Sequence, residues 1–595
     1  MTYRAPLEDI RHALDSAANL SDLLADGTFA GLDADTVTSV LEGAAQFAEN
    51  ELAPLDQTGD KSPSRLDGNT VITPPGWAAA YKSFVDGGWS SLSGPEDFGG
   101  QALPHVLASS AIEIWCGANL AFGLCPLLTQ GAVDALRAAG SPELKQRYLP
   151  KMVSGEWTGT MNLTESHAGT DLGALKTKAV PQADGSSRIF GTKIYITYGD
   201  HEMASNIIHL VLARLPDAPA GTRGISLFLV PKFLINADGT LGARNDVKAT
   251  GVEHKLGIHA SPTCVMSFGE KDGAVGYLVG EVGRGLNHMF VMMNRARLDV
   301  GMQGVALAER ASQRALAYAN DRKQGRTART PAGEMASIVE HPDVRRSLLT
   351  MRALTMAARA ICLATARELD LSERASDAGL RATATNRAAL LTPVAKAFAT
   401  DTAVEVASIG VQIHGGSGFI EGTGAAQHYR DARILPIYEG TNGIQAIDLV
   451  MRKLPLENGK VVADYLDELD ATAAGLVASN APGFSRIGTQ LAAANSALRA
   501  ATVWLGKQLK DNPDAALAGA TAYLRLFAIA SGGVFLGRGA LLAARAGAAS
   551  SAQLRQISLA KFFAETFSPA ADGLMRTITE GSDALLAADV SLFAV

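Results

Sequence analysis

Apolar and polar positions change their spacing twice along this chain, and the two changes divide it. Residues 1–155 follow a helical period: Ile10, Leu14 and Leu20 open the pattern, and Val40, Leu41 and Phe47 share one face of the next helix with acidic residues opposite. Residues 156–285 switch to short β-branched and aromatic runs, Arg188 to Thr197, Ile207 to Ala213 and Gly224 to Val230, split by Gly, Pro and Asp. These runs predict strands of a small β-domain, a barrel or sandwich set between helical blocks. Residues 286–453 return to helix: Leu286, Met289, Phe290, Met293, Val300, Leu307 and Ala311 hold one face, and long helices are predicted from about Pro342 to Ser372 and from about Pro393 to His414. Long helices with short links predict a four-helix bundle, its methionines serving as core filler. Residues 454–595 form an alanine-rich helical block, with Leu491, Leu498, Val503, Leu505 and Leu509 marking one helix and Pro482-Gly483 and Pro513 marking breaks. The fold class is therefore α+β and mainly α: an N-terminal helical domain, a β-barrel-like domain, a helical bundle and an extra C-terminal helical domain.

Composition sharpens this picture in three ways. A chain of 595 residues is too long for one ordinary core. Its formal net charge of −7 argues against nucleic acid or an anionic membrane as a main partner. The four cysteines, Cys116, Cys125, Cys264 and Cys362, lie scattered with no metal-ligand spacing, so no metal is expected, and they read as reduced, buried thiols of a cytoplasmic protein. Met1 to Asp15 carries Arg4, Glu8, Asp9, Arg11 and Asp15 around no apolar core segment, so no signal peptide is expected. The longest apolar run, Phe527 to Leu542, is short, glycine-rich and broken by Arg538, which predicts a buried helix rather than a membrane span.

Candidate chemistry gathers in five short segments. In Tyr429-Arg430-Asp431-Ala432-Arg433-Ile434-Leu435-Pro436-Ile437-Tyr438-Glu439-Gly440-Thr441-Asn442, Pro436 ends what precedes it, and Glu439 and Gly440 fall in a loop. Thr441 or Asn442 then caps a helix whose Ile444, Ile447 and Val450 recur at helical spacing. Alone, this reads as a solvated carboxylate favoured by a helix dipole. Alone, Met161 to Asp171 reads as a polar loop, Tyr195-Ile196-Thr197 as plain strand, Arg322-Lys323-Gln324-Gly325 as a charged helix end, and Gln412 to Gly418 as a glycine turn.

Taken together and in this order, with the turn Gly94 to Gly100, the segments resemble those of the acyl-CoA dehydrogenases, from about residue 94 to residue 453. The resemblance implies FAD. Met161, Leu163 and Thr164 would meet the isoalloxazine ring, Gly169 would let the backbone approach closely, and Thr170 would bond a phosphate or a substrate carbonyl. Tyr195 stands where the family usually has tryptophan, beside the flavin, with Thr197 on its N5 edge. Ser166 replaces the usual proline, and the phenylalanine expected after Gln324 is missing. Arg322 and Gln324 would reach the pyrophosphate across a dimer interface, and Gln412, Gly415 and Gly416 the adenosine and pyrophosphate. Thr441 also falls on a cofactor-contacting position. Asn294, Arg297, Tyr438 and Gly440 fall on the substrate side, and His414 reads as a capping or packing residue.

The resemblance implies that Glu439 is the base. A minority of the family carries the base one position before the arginine of Asn294-Arg295-Ala296-Arg297, but Ala296 takes no proton. The implied reaction is α,β-dehydrogenation of an acyl-CoA to the trans-2-enoyl-CoA, with an electron-transfer flavoprotein as acceptor and a homodimer or dimer of dimers as the assembly. The long form with its C-terminal extension resembles enzymes acting on 3-methylthiopropanoyl-CoA and also fatty acyl-CoA dehydrogenases of similar length. Two alternatives stand beside it: an acyl-CoA oxidase, and an alkylation-response-like DNA-binding relative, for which the extension lacks basic charge.

Overall fold

A computed structural model describes residues 3–25, 28–29, 31–479, 481–545 and 550–594; the predicted first domain begins, and the last ends, on residues outside these. Helices run from Leu7–Ser16 to Pro142–Val153, interrupted by a small hairpin of Arg65–Asp67 and Thr70–Ile72 that the apolar spacing did not announce. Three residues a side are too few to show a period of two.

The main sheet of the β-domain is ordered Val247–Val252, Thr263–Phe268, Ser187–Thr197, Ala274–Val279, Ile225–Pro231, Asn206–Arg214 and Trp157–Asn162, and Phe233–Ile235 pairs separately with Leu241–Arg244. Lys178–Pro181 pairs with both Ser187–Thr197 and Asn206–Arg214, which closes five strands on themselves as a barrel. All three predicted strands are present within a residue of their expected ends.

Three long helices, Gly285–Asp321, Pro342–Arg374 and Ala378–His414, form the bundle, with short helices Ala425–Ala432 and Asn442–Asp448 packed against it. The third starts at Ala378, not at Pro393 as the sequence predicts. Pro393 removes one backbone hydrogen bond, yet the helix continues because the residues around it are buried on every side, and packing outweighs that local cost. The first and third helices approach closely: a Cβ on Gly304 would lie 2.5 Å from the Ala399 carbonyl oxygen. That contact sets Arg297 on one helix near Lys396 on the other.

The extension contributes Lys460–Val477, Phe484–Asp511, Ala520–Arg545, Ser551–Thr566 and Ala570–Glu580. One apolar core runs without a break from Ile10 through Val394 to Phe527. Ala520–Arg545 lies against all of Pro342–Arg374, Ala378–His414 and Asn442–Asp448. Pro342–Arg374 and Ala520–Arg545 are long and apolar enough to cross a bilayer by length and composition, but 83% of each such window is buried inside the fold, as core helices are. The helix marked by Leu491, Leu498, Val503, Leu505 and Leu509 is there; Val503 is 70% exposed on it, while Ile487, Leu491, Leu498 and Leu505 are buried. All four cysteines are buried thiols.

Candidate active site

Glu439 sits in a turn that its own sequence does not favour. Its φ is +56° and that of Gly440 is +85°, two successive left-handed residues. For a side chain with a Cβ this costs roughly 1–2 kcal/mol, so neighbouring groups must hold it. Gln445 Nε2 donates to the carbonyls of Glu439 and Gly440, both at 3.3 Å. Lys396 Nζ donates to Gly440 O at 3.0 Å and Asn442 Oδ1 at 2.9 Å. Gly440 is required here, since a Cβ would lie 2.7 Å from Gln445 Nε2. Thr441 caps the next helix, accepting from the Ile444 amide at 3.4 Å.

Glu439 is half-buried; its Oε2 is covered, and no described residue donates to that oxygen. Burial pushes its pKa up to about 7, against the pull of Arg297 and Lys396 toward the charged form. Arg297 is shared: its Nη1 lies 3.8 Å from Asp448 Oδ2, while Asp448 Oδ1 accepts from Arg452 Nε at 2.7 Å. Tyr438 gives its hydroxyl proton to Gln303 Oε1, which packs the ring beside the base. The Glu439 amide has no backbone acceptor among the described residues. Ala296 is buried and carries nothing ionisable, whereas Asn294 lies exposed on the same helix and does not join this group.

A second group forms along the β-domain. The strand Ser187–Thr197 bulges opposite Cys264/Met266, and Tyr195 sits in that bulge at φ +62° with its ring 61% exposed. Thr197 and Thr164 are half-buried beside it, and the Ile194 amide donates to Thr164 O at 3.0 Å, tying the strand to the Met161–Asp171 loop. Buried Lys193 fixes that loop from beneath: its ammonium donates to Leu163 O and Glu165 Oε1, both at 2.9 Å. Burial alone would raise the Glu165 carboxyl, but Lys193, Thr177 and Lys176 hold it down at about 2. Gly169 and Thr170 are exposed, and a Cβ on Gly169 would meet nothing nearer than 4.0 Å.

The third group lies at the far end of the bundle. Tyr318 stacks on His414 with ring centroids 4.4 Å apart, joining the end that carries Arg322 and Gln324 to the end that carries Gln412, Gly415 and Gly416. All five are exposed, with Phe419 and Ile420 beside them at 86% and 61%. His414 packs, its Nδ1 bonded to Gly410 O at 2.7 Å. At about 1.5 Å per residue, Arg322 lies roughly 37 Å along its helix from Arg297. The first and third groups therefore lie far apart along that helix.

Sequence reasoning passed over Lys193, Gln303, Lys396, Gln445 and Asp448. The one available signal was charge or amide at a position whose neighbours are apolar, as in Ala395-Lys396-Ala397.

Comparison with known proteins follows the same division. The family models for the acyl-CoA dehydrogenase N-terminal, middle and C-terminal domains match residues 35–156, 160–270 and 283–454, and one described as acetyl-CoA dehydrogenase C-terminal like matches 465–589. The 3-methylmercaptopropionyl-CoA dehydrogenase of Ruegeria pomeroyi is 46% identical over 594 residues, 99% of this chain and 100% of that protein. Among solved structures, Caenorhabditis elegans ACDH-11 in complex with C11-CoA aligns with a TM-score of 0.77 at 21% identity, over 95% of this chain and 91% of that one. An acyl-CoA dehydrogenase of Bacillus anthracis complexed with FAD aligns with a TM-score of 0.74 at 20% identity, over 94% of this chain and 90% of that one. At those identities the two structures share the fold.

Proposed function

The chain belongs to the acyl-CoA dehydrogenase family and is an oxidoreductase of acyl-CoA thioesters, and from that premise we propose that it desaturates a short thioether acyl-CoA, 3-methylmercaptopropionyl-CoA, with Glu439 as base and FAD as cofactor. The observation that carries the reading is Glu439 itself: a half-buried carboxylate whose covered Oε2 has no donor among the described residues, on a turn held by two other side chains. Whole-length identity to the Ruegeria enzyme supports the substrate.

The residues present fit FAD. Thr164, Tyr195 and Thr197 offer hydroxyls and a ring face along one edge of the β-domain, and Lys193 holds the Leu163 carbonyl so that the loop keeps its shape. When bound, FAD supplies the two-electron acceptor for hydrogen leaving the β-carbon. Glu439 removes the α-proton, and its burial makes it a stronger base than an exposed carboxylate. Its unpartnered amide is ready to donate to the thioester oxygen as negative charge grows there. Arg297 and Lys396 favour the charged carboxylate and so limit the rise that burial causes. Arg322, Gln324, Gln412, Gly415 and Gly416 are assigned to the FAD of a second copy, and an electron-transfer flavoprotein to the acceptor's place, as the family resemblance implies.

The test is a panel of acyl-CoAs of graded length, including the thioether, assayed with an acceptor dye and with oxygen. Highest kcat/KM on the thioether, dye-dependent, is the expected result. Equal rates on long chains, or oxygen uptake in place of dye reduction, would overturn the substrate or the dehydrogenase reading respectively.

A further inference from the structure

We propose that Lys396 is a positioning residue for this reaction: its ammonium holds the Glu439–Asn442 turn in its left-handed form and its positive charge opposes the base's drift to the neutral form. The proposal rests on Glu439 being the base.

Lys396 is fully buried, halfway along the helix Ala378–His414. A buried ammonium is costly unless its protons and its charge are both met. Its protons reach Gly440 O and Asn442 Oδ1, the two acceptors on either side of Thr441. Both belong to the turn that carries Glu439. No carboxylate lies within salt-bridge distance of Nζ among the described residues, so neither proton goes to an ion-pair partner. The same helical turn grips Asn442 throughout: its Nδ2 donates to Asp401 Oδ1 at 2.7 Å, Thr400 Oγ1 at 2.9 Å and Ala397 O at 3.1 Å. One turn of one helix thus fixes both ends of the Gly440–Asn442 segment, and Gln445 secures the carbonyls before it. A lysine serving only to fill the core would not be aimed at the two polar atoms that set the base's backbone.

Charge argues the same way. Around Lys396 stand Glu439 from the turn, Asp401 from its own helix and Arg297 from Gly285–Asp321. Behind Arg297 lie Asp448, Arg452 and Lys453, and beyond Asp401 lies Arg525 of the C-terminal extension. Arg297 already faces Asp448, whereas Lys396 has no ion-pair partner of its own. Burial pushes Lys396 down to about 7, opposed by Glu439 and Asp401. Each group therefore offsets part of what burial does to the other, and removing the cation raises the pKa of the base further.

Three variants separate shape from charge, each made in the flavin-loaded enzyme. Lys396→Arg retains the charge, Lys396→Gln retains a donor without charge, and Lys396→Met retains neither. Lys396→Met should lose roughly 100-fold in kcat with KM little changed. Lys396→Gln should keep more of kcat but move the acidic limb of kcat/KM upward by about one pH unit, and Lys396→Arg should bring that limb back. A readout independent of turnover is the protonated-carboxyl infrared band that Glu439→Gln removes: its midpoint should rise in Lys396→Gln. An unmoved band and limb in Lys396→Gln would overturn the proposal. So would failure of both Lys396→Gln and Lys396→Arg to fold with flavin bound, which would make Lys396 a core residue only. Failure of the base assignment is seen separately, as activity persisting in Glu439→Gln.

Discussion

Two clusters of buried charge sit on the same helix, Gly285–Asp321, and they are built on opposite principles. Around Glu309 every ionic atom is answered. Arg359 meets Glu113 in a bidentate pair, Nη2 to Oε1 at 2.6 Å and Nε to both oxygens at 2.9 and 3.1 Å, and its Nη2 also reaches Glu309 Oε2 at 3.0 Å. Arg352 bridges Glu309 and Asp9, and Gln556 of the extension closes the chain on Asp9 at 3.1 Å. Around Arg297, one turn of helix after another nearer the start, partners run short. Glu439 Oε2, Arg297 Nε, Gln303 Nε2 and Gln445 Oε1 are buried and unanswered among the described residues. Saturation makes the first cluster a tie between the amino terminus, the bundle and the extension. Incompleteness makes the second reactive, because a group with spare hydrogen-bonding capacity in a dry site gains most from a substrate.

Neutralising one carboxylate in each cluster gives the largest effects and the sharpest contrast. Glu439→Gln is expected to bind flavin and to lose turnover by about 1000-fold, as removal of a general base does. Glu113→Gln is expected to cost about 3–5 kcal/mol in denaturant unfolding, because buried Arg359 keeps only Glu309 as an ionic partner. Per folded, flavin-loaded molecule its kcat should stay within about twofold of wild type, since no catalytic contact passes through Glu113. A Glu113→Gln enzyme that is stable but inactive would erase the distinction between the clusters.

A pH series sharpens it further. The base must be ionised to take a proton, so kcat/KM should rise with pH through about 7, the position to which burial moves Glu439. Stability should move the other way. A carboxyl raised from 4.5 to about 7 favours the folded state while protonated, and that contribution is lost as pH climbs from the lower value to the higher. Glu439→Gln should therefore be more stable than wild type at pH 8 by up to roughly 3 kcal/mol, and indistinguishable from it near pH 4. Thermal melts at the two pH values check this, and a difference of the opposite sign would mean that Arg297 and Lys396 outweigh burial.

The smallest effect concerns Tyr195. Its left-handed backbone and exposed ring make it a residue held for something other than packing. Tyr195→Gly should change stability by no more than about 1 kcal/mol, on the stabilising side, while weakening flavin retention. Absorbance of the purified protein against its melting temperature reads both.

What the sequence settled was local. The change from a period of 3.6 to one of 2 and back again depends only on residues a few positions apart, so the helical, β and helical blocks were legible before any contact was known. Turn chemistry is local too: Pro436, Gly440 and Thr441 announced a loop and a cap, and the loop and cap are there. Where burial is imposed from outside, local rules failed. Pro393 continues a helix because neighbours far along the chain decide what is covered. The same holds for the site. Glu439 could be named from its segment, but its burial, its missing donor and its grip by Lys396 come from a residue 43 positions earlier, and the Arg359–Glu113 pair spans 246. A charge becomes a base or a brace according to the partners that folding brings to it, and those partners have no spacing in the sequence to betray them.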